Sequence, residues 1–144
     1  MDPLKNGGKK TPLCGWHEGH GASMEPFGGY LMPLWYRTGA RDEHPSVVTH
    51  AGIFDTSHMG IISVTGENAH GLLQWYFTRN LDACSGRDRK PLRDGELVYG
   101  AFLDERGWCI DDAVVYRISG TSFLVVINAS MGETVASHLK GSSE

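Results

Sequence analysis

The chain has 144 residues, 40% of them apolar and 21% charged, with a formal net charge of −4. That length and balance suit one globular domain with a real core, and the lack of a Lys/Arg stripe argues against a nucleic-acid groove, since the cluster Arg87, Arg89, Lys90 and Arg93 is diluted by Asp88 and Asp94. No apolar run approaches membrane-spanning length, the first ten residues carry no signal-peptide core, and three cysteines without a CxxC do not read as a secreted disulfide framework, so the expected compartment is the cytoplasm.

Residues 1–10 read as a disordered leader and residues 11–144 as the folded part. Residues 11–36, "TPLCGWHEGHGASMEPFGGYLMPLWY", are rich in Gly, Pro, Met and aromatics and have no clean period, which predicts irregular packing against something larger. "RDEHPSVVTHAG" predicts a short helix with Asp42 as N-cap, Pro45 in the first turn and Gly52 at the C-cap. "GIISVTG", Gly60 to Gly66, reads as a strand with Ile62 and Val64 on one face. "ENAHGLLQWYF" reads as a helix, because Ala69, Leu72, Leu73, Tyr76 and Phe77 follow helical spacing.

Residues 79–95 read as a polar loop. Strands follow at Glu96–Leu103, Ile110–Arg117 and Phe123–Asn128, with turns "DERGW" and "SGT" between them. A last helix starts at Ser130, where Ser130 and Glu133 match a capping box and Met131, Val135 and Leu139 share a stripe. The order β-α-β-β-β-α after an irregular first third gives an α+β class, and the short connections force an antiparallel meander.

Three clusters carry chemistry-bearing residues. Cys14, His17 and His20 have ligand-like spacing, but a structural zinc site wants four ligands and no second pair lies nearby, so no metal is expected. "FDTSHMG" places Asp55, Ser57 and His58 together, yet triad members normally come from distant parts of a chain. Asp55 and Ser57 are more simply read as bonding local backbone, and Met59 serves equally as core filler or as a soft contact for a flat ligand.

The third cluster is the pair in "GWCIDDAVVY". Strand alternation puts Asp112 with Val114 and Tyr116, and Asp111 with Ala113 and Val115. If the following turn holds Ser119 to Thr121, pairing is symmetric about Gly120, so Tyr116 opposes Leu124, Val114 opposes Val126 and Asp112 opposes Asn128. One face then carries Asp112, Asn128 and Tyr116 around two valines. By geometry this is either a small-molecule floor or a solvent-exposed sheet end.

Several ordered motifs break that tie. "TPL…H…GASMEPFGGYLMPLWY", "AGIFDTSHMG", "TGENAHGLLQ", "GWCIDDAVVYR" and "FLVVINAS" together resemble the glycine cleavage system T-protein family, aminomethyltransferases that use tetrahydrofolate. The resemblance implies that residues 11–144 are the N-terminal part of a ferredoxin-like folate-binding domain, incomplete here because the family's chains are considerably longer. It implies Asp112 as the catalytic aspartate, with Met59, Tyr99, Tyr116, Val126 and Asn128 against the cofactor. It further implies tetrahydrofolate as cofactor and a lipoyl carrier protein (the H-protein) as partner. The one-carbon unit would pass from the aminomethyl-lipoyl carrier to the folate with release of ammonia, and this shorter chain is expected to be a poor enzyme by itself. Two alternatives are a non-catalytic folate-binding module or remnant, and a folate-binding protein of iron–sulfur assembly and tRNA modification. The intact "SHMG" and "IDDAVVY" favour the transferase over the latter.

Overall fold

The structure is a computed structural model that describes residues 8–84 and 89–141. Its chain divides into two units, Met1–His58 and Met59–Glu144.

The first unit is built on short elements. Strand β1 (Lys9–Lys10), helix α1 (Cys14–Gly19), strands β2 (Ser23–Phe27) and β3 (Tyr30–Trp35), and helix α2 (Ala40–Thr49) follow one another. The three strands form one sheet in the order β1-β3-β2, with β1 parallel to β3 and β2 antiparallel to it. The expected leader is therefore corrected at its end, because Lys9 and Lys10 pair with Tyr30 and Leu31. Residues 1–7 lie outside the described residues. The segment read as irregular is also corrected, since it holds a helix and a hairpin. Gly28 and Gly29, at φ 57° and 84°, turn that hairpin in a conformation that side chains with a Cβ rarely adopt. Helix α2 starts at Ala40 behind Gly39, two residues ahead of the expected cap, so Asp42 sits inside the first turn and Pro45 inside the helix. An acidic first turn suits the positive end of the helix dipole whether or not Asp42 caps it.

The second unit carries the larger core. Strand β4 (Gly60–Thr65), helix α3 (Ala69–Tyr76), strands β5 (Leu97–Leu103), β6 (Cys109–Ser119) and β7 (Ser122–Ile127), and helix α4 (Gly132–Lys140) reproduce the expected element order. The sheet is antiparallel throughout in the order β4-β7-β6-β5. One face packs under α3 and α4 and buries Val64, Val98, Phe102, Ala113, Val115, Phe123, Val125 and Ile127 against Leu73 and Val135. The start of α4 comes so close to β4 that a Cβ on Gly60 would lie 3.3 Å from the Gly132 Cα. The capping box is corrected: Met131 is the N-cap and makes no side-chain cap bond. The polar loop is corrected too, for Leu81 and Leu92 are buried in the core and joined by a 2.7 Å bond from the Leu92 N–H to the Leu81 carbonyl. Residues 85–88 of that loop, Arg87 and Asp88 among them, lie outside the described residues. No helix among the described residues is long and apolar enough to cross a membrane.

Candidate functional site

The face of the second sheet turned away from α3 and α4 carries the residues expected at a ligand site. Register sets two rows across it, Ile61–Val126–Val114–Tyr99 and Ser63–Leu124–Tyr116–Leu97. Of the three facing pairs expected of the β6–β7 hairpin, Val114 with Val126 and Tyr116 with Leu124 occur, and the ladder ends at Ala113 with Ile127, one step short of the expected Asp112 with Asn128. The turn that produces them differs from the expected one. Ser119 pairs with Ser122, which leaves Gly120 and Thr121 as the loop, and the register shift between Arg117 and Ser119 leaves Ile118 as the extra residue. That bulge restores the register a three-residue turn would have given. Tyr99 is 60% exposed and Tyr116 37%, so the two rows form an open apolar floor with a phenol on each.

At one end of the floor the two aspartates separate. Asp112 is exposed and accepts from the Tyr99 hydroxyl at 2.8 Å and from the Asn128 amide at 2.9 Å. Asp111 is only 8% exposed, and its two oxygens take the Asn128 backbone N–H at 3.0 Å and the Asn128 amide at 2.9 Å. Asn128 lies just past β7, where strand alternation no longer assigns it to one face, so it bridges both carboxylates. Asp111 therefore holds the strand end, while Asp112 keeps an oxygen lobe open to solvent. Gly60 pairs with Ile127 at the end of the β4–β7 ladder, and Met59 is the residue just before β4 in the chain. Val126, Tyr116, Tyr99, Asp112 and Asn128 thus gather at one region of one sheet, and Met59 directly precedes its strand β4. A separate cleft of about 930 Å³ lies between the ends of α3 and α4 and the β5–β6 turn, lined by Trp75, Phe77, Leu103, Arg106 and His138 among others, and it includes none of these six.

The turn before the aspartates is fixed by Asp104, whose carboxylate accepts the N–H groups of Arg106 and Trp108 at 2.9 and 2.8 Å. This Asx-type turn lets the chain re-enter β6 with Asp112 on the open face.

The hydrogen bond to Asp112, and then the charge of Asp112, raise the Tyr99 phenol above its ordinary 10.0, so Tyr99 keeps its proton and acts as a donor at neutral pH. Asp112→Asn is expected to bring the Tyr99 titration back down toward 10.0. Ultraviolet difference titration against a Tyr99→Phe chain reads this, and an unmoved midpoint contradicts the pairing.

Within the first unit, a cluster not foreseen from the sequence joins His17, Asp55 and Tyr36. His17 Nε2 lies 2.9 Å from Asp55 Oδ2 and His17 Nδ1 2.6 Å from the Tyr36 hydroxyl, with the His17 and Asp55 side chains 5% and 3% exposed. The local reading of Asp55 holds as well, because Asp55 Oδ1 accepts the Ser57 N–H at 2.8 Å. No sequence signal links positions so far apart. The same contacts occupy the imidazole of His17, while His20 Nδ1 meets the Trp16 carbonyl at 2.7 Å and Cys14 Sγ meets Glu18 at 3.8 Å.

Burial would raise the Asp55 carboxyl, but hydrogen bonds from Ser57 and His17 outweigh it and lower the carboxyl from 3.8 to about 2. A depressed carboxylate stabilises the fold above its unfolded pKa and loses that contribution as pH falls through the folded one. About 2 kcal/mol should therefore disappear between roughly pH 4 and pH 2. Urea midpoints followed over that range should fall less steeply in Asp55→Asn than in the parent, and equal slopes would contradict the assignment.

Comparison with known proteins gives one family. The GCVT N-terminal domain matches residues 13–144. An aminomethyltransferase of Chlorobium phaeobacteroides is 42% identical over 125 residues, covering 87% of this chain and 32% of the relative. One from Leptospira biflexa is 40% identical over 131 residues, covering 91% of this chain and 34% of the relative. The crystal structure of the glycine cleavage system aminomethyltransferase T from Bartonella henselae superposes with a TM-score of 0.83 at 32% identity, covering 92% of this chain and 35% of that one. The chain thus spans about a third of the length of the curated relatives it matches.

Proposed function

The chain belongs to the GCVT N-terminal domain family, and from that premise we propose that the open sheet face is the folate-side part of an aminomethyltransferase site. The observation that carries this reading is the Asp112 carboxylate, held between the Tyr99 hydroxyl and the Asn128 amide at one end of an apolar floor. Val114, Val126 and Met59 offer flat apolar contact to a pterin, and Tyr99 and Tyr116 supply hydroxyls that fix its orientation. Tetrahydrofolate would supply the pair of nitrogens, one in the pterin ring and one beside it, that take up the one-carbon unit. Asp112 accepts a hydrogen bond from the N–H of the attacking nitrogen, orients it, and takes its proton as general base. Tyr99 and Asn128 keep the carboxylate aimed, so much of the rate comes from positioning two reactants. The proposed donor is the aminomethyl group on the lipoyl arm of a carrier protein: as two carbon–nitrogen bonds to the folate would form, the carbon's bond to the amino nitrogen would break to release ammonia and its bond to sulfur would break to return the lipoyl thiol.

Because the chain spans a third of its relatives, the test supplies the rest. Residues 13–144 are placed in the matching part of the Chlorobium phaeobacteroides enzyme, and ammonia release from aminomethylated carrier protein is measured with tetrahydrofolate. The chimera is expected to turn over, the 144-residue chain much less, and Asp112→Asn in the chimera to lose about 100-fold or more in kcat. A chimera that binds folate without turnover supports a binding module instead, and full activity in Asp112→Asn contradicts the proposed role.

A further inference from the structure

The segment that leads into Met59 has almost nothing apolar to hold it. Residues 51–57 adopt no helix or strand, Ile53 and Phe54 stand largely in solvent, and Asp55 is the only residue of 50–57 that is not exposed. The anchor of this stretch is therefore a carboxylate. It is held by His17 from α1, by the Ser57 N–H, and more loosely by the Thr11 hydroxyl at 3.5 Å. His17 is held in turn by Tyr36 at the end of β3. Burying a carboxylate is costly unless every lone pair is used well, so this cluster needs a reason beyond filling space.

Donor and acceptor roles within it can be assigned. An ionised carboxylate only accepts, so His17 Nε2 must carry the proton it shares with Asp55. The phenol of Tyr36 is raised by burial, then by Glu43 and Asp55, and keeps its proton, which it can donate to His17 Nδ1. Both imidazole nitrogens are satisfied in the neutral ring, and only when the proton is on Nε2. Glu43 reinforces the arrangement by accepting the Tyr36 backbone N–H at 2.6 Å.

We propose that Tyr36, His17 and Asp55 are positioning residues: a buried relay, with His17 fixed as the Nε2–H tautomer, that sets the backbone of residues 54–58 immediately before Met59. The relay serves a ligand site only if the folate reading of Met59 holds, but the relay itself stands or falls independently of it.

The experiment uses the full chain with ¹⁵N-labelled histidine and no folate, so a failure of folate binding and a failure of the relay are distinguishable. The expected spectrum shows His17 Nε2 protonated and Nδ1 unprotonated but hydrogen-bonded near pH 8. Tyr36→Phe should move the Nδ1 resonance to its unbonded position while Nε2 keeps its proton. In the same variant the Ser57 amide, which donates to Asp55, should exchange about tenfold faster or more, with exchange in β6 and β7 unchanged. Asp55→Asn should give the same local exchange and lose the single tautomer. If that variant does not fold, Tyr36→Phe carries the test. A proton on Nδ1 in the parent chain overturns the tautomer, and unchanged exchange at the Ser57 amide, or an equal rise everywhere, overturns the positioning role.

Discussion

Asp111→Ala is expected to destabilise the second unit by about 1–3 kcal/mol, while Asp112→Asn changes its stability by less than about 0.5 kcal/mol. The two residues are adjacent and chemically identical, so the difference comes from placement. Asp111 is buried, and both of its oxygens receive donors from Asn128. Removing them leaves the Asn128 N–H without its acceptor at the end of β7, which costs the desolvation of that group. Asp112 is exposed, and an asparagine there still offers an oxygen to Tyr99 or to Asn128. Function should invert the order, since only Asp112 reaches the open floor. Urea unfolding followed by circular dichroism measures the first half of the claim. A larger stability loss in Asp112→Asn than in Asp111→Ala would mean that the strand end is held by the other carboxylate.

Phe102→Ala should have the largest effect on stability of any single change discussed, about 3–5 kcal/mol. Phe102 is fully buried on β5, with its ring 5.2 Å from the ring of Phe77 at 51°. Phe77 closes α3 in an extended conformation and bridges back to Phe102, so the pair ties the helix to the sheet. Truncation removes the transfer energy of the ring and leaves a cavity that these two rigid elements cannot collapse. A small domain is stable by only about 5–15 kcal/mol in all, so the variant should lose a large share of that stability and unfold at a clearly lower temperature. Thermal unfolding by calorimetry checks this. A loss below about 1 kcal/mol would mean that the core does not depend on this contact.

Much of the second unit was legible because its elements are long enough for periodicity to speak. Ala69, Leu73 and Phe77 mark one helix face, and Ala113, Val115, Phe123, Val125 and Ile127 mark one sheet face. The same alternation separated Asp111 from Asp112. Loop details were less legible. Leu81 and Leu92 sit among polar residues, and what buries them is a tertiary clamp, the Gln74 side chain accepting the Leu81 N–H at 2.7 Å. The β6–β7 turn reached its expected register through a bulge at Ile118, which no residue type there announces. The first unit was hardest to read. Its strands are short, its buried apolar residues are few, and its His17–Asp55 contact joins residues far apart in the chain. The Gly28–Gly29 pair was a hairpin signal of the usual kind, available in the sequence but outweighed by the lack of period around it.

Methyl resonances of the chain, followed as tetrahydrofolate is added under reducing conditions, report whether the open sheet face takes the folate. Ile61, Val114 and Val126 have their methyls on the open face, and Val115, Val125 and Ile127 have theirs in the core. Val114 and Val126 should show saturable shifts that weaken in Asp112→Asn, with the core methyls nearly unmoved. Shifts confined to the cleft of Trp75 and His138, or none at any folate concentration, would contradict it.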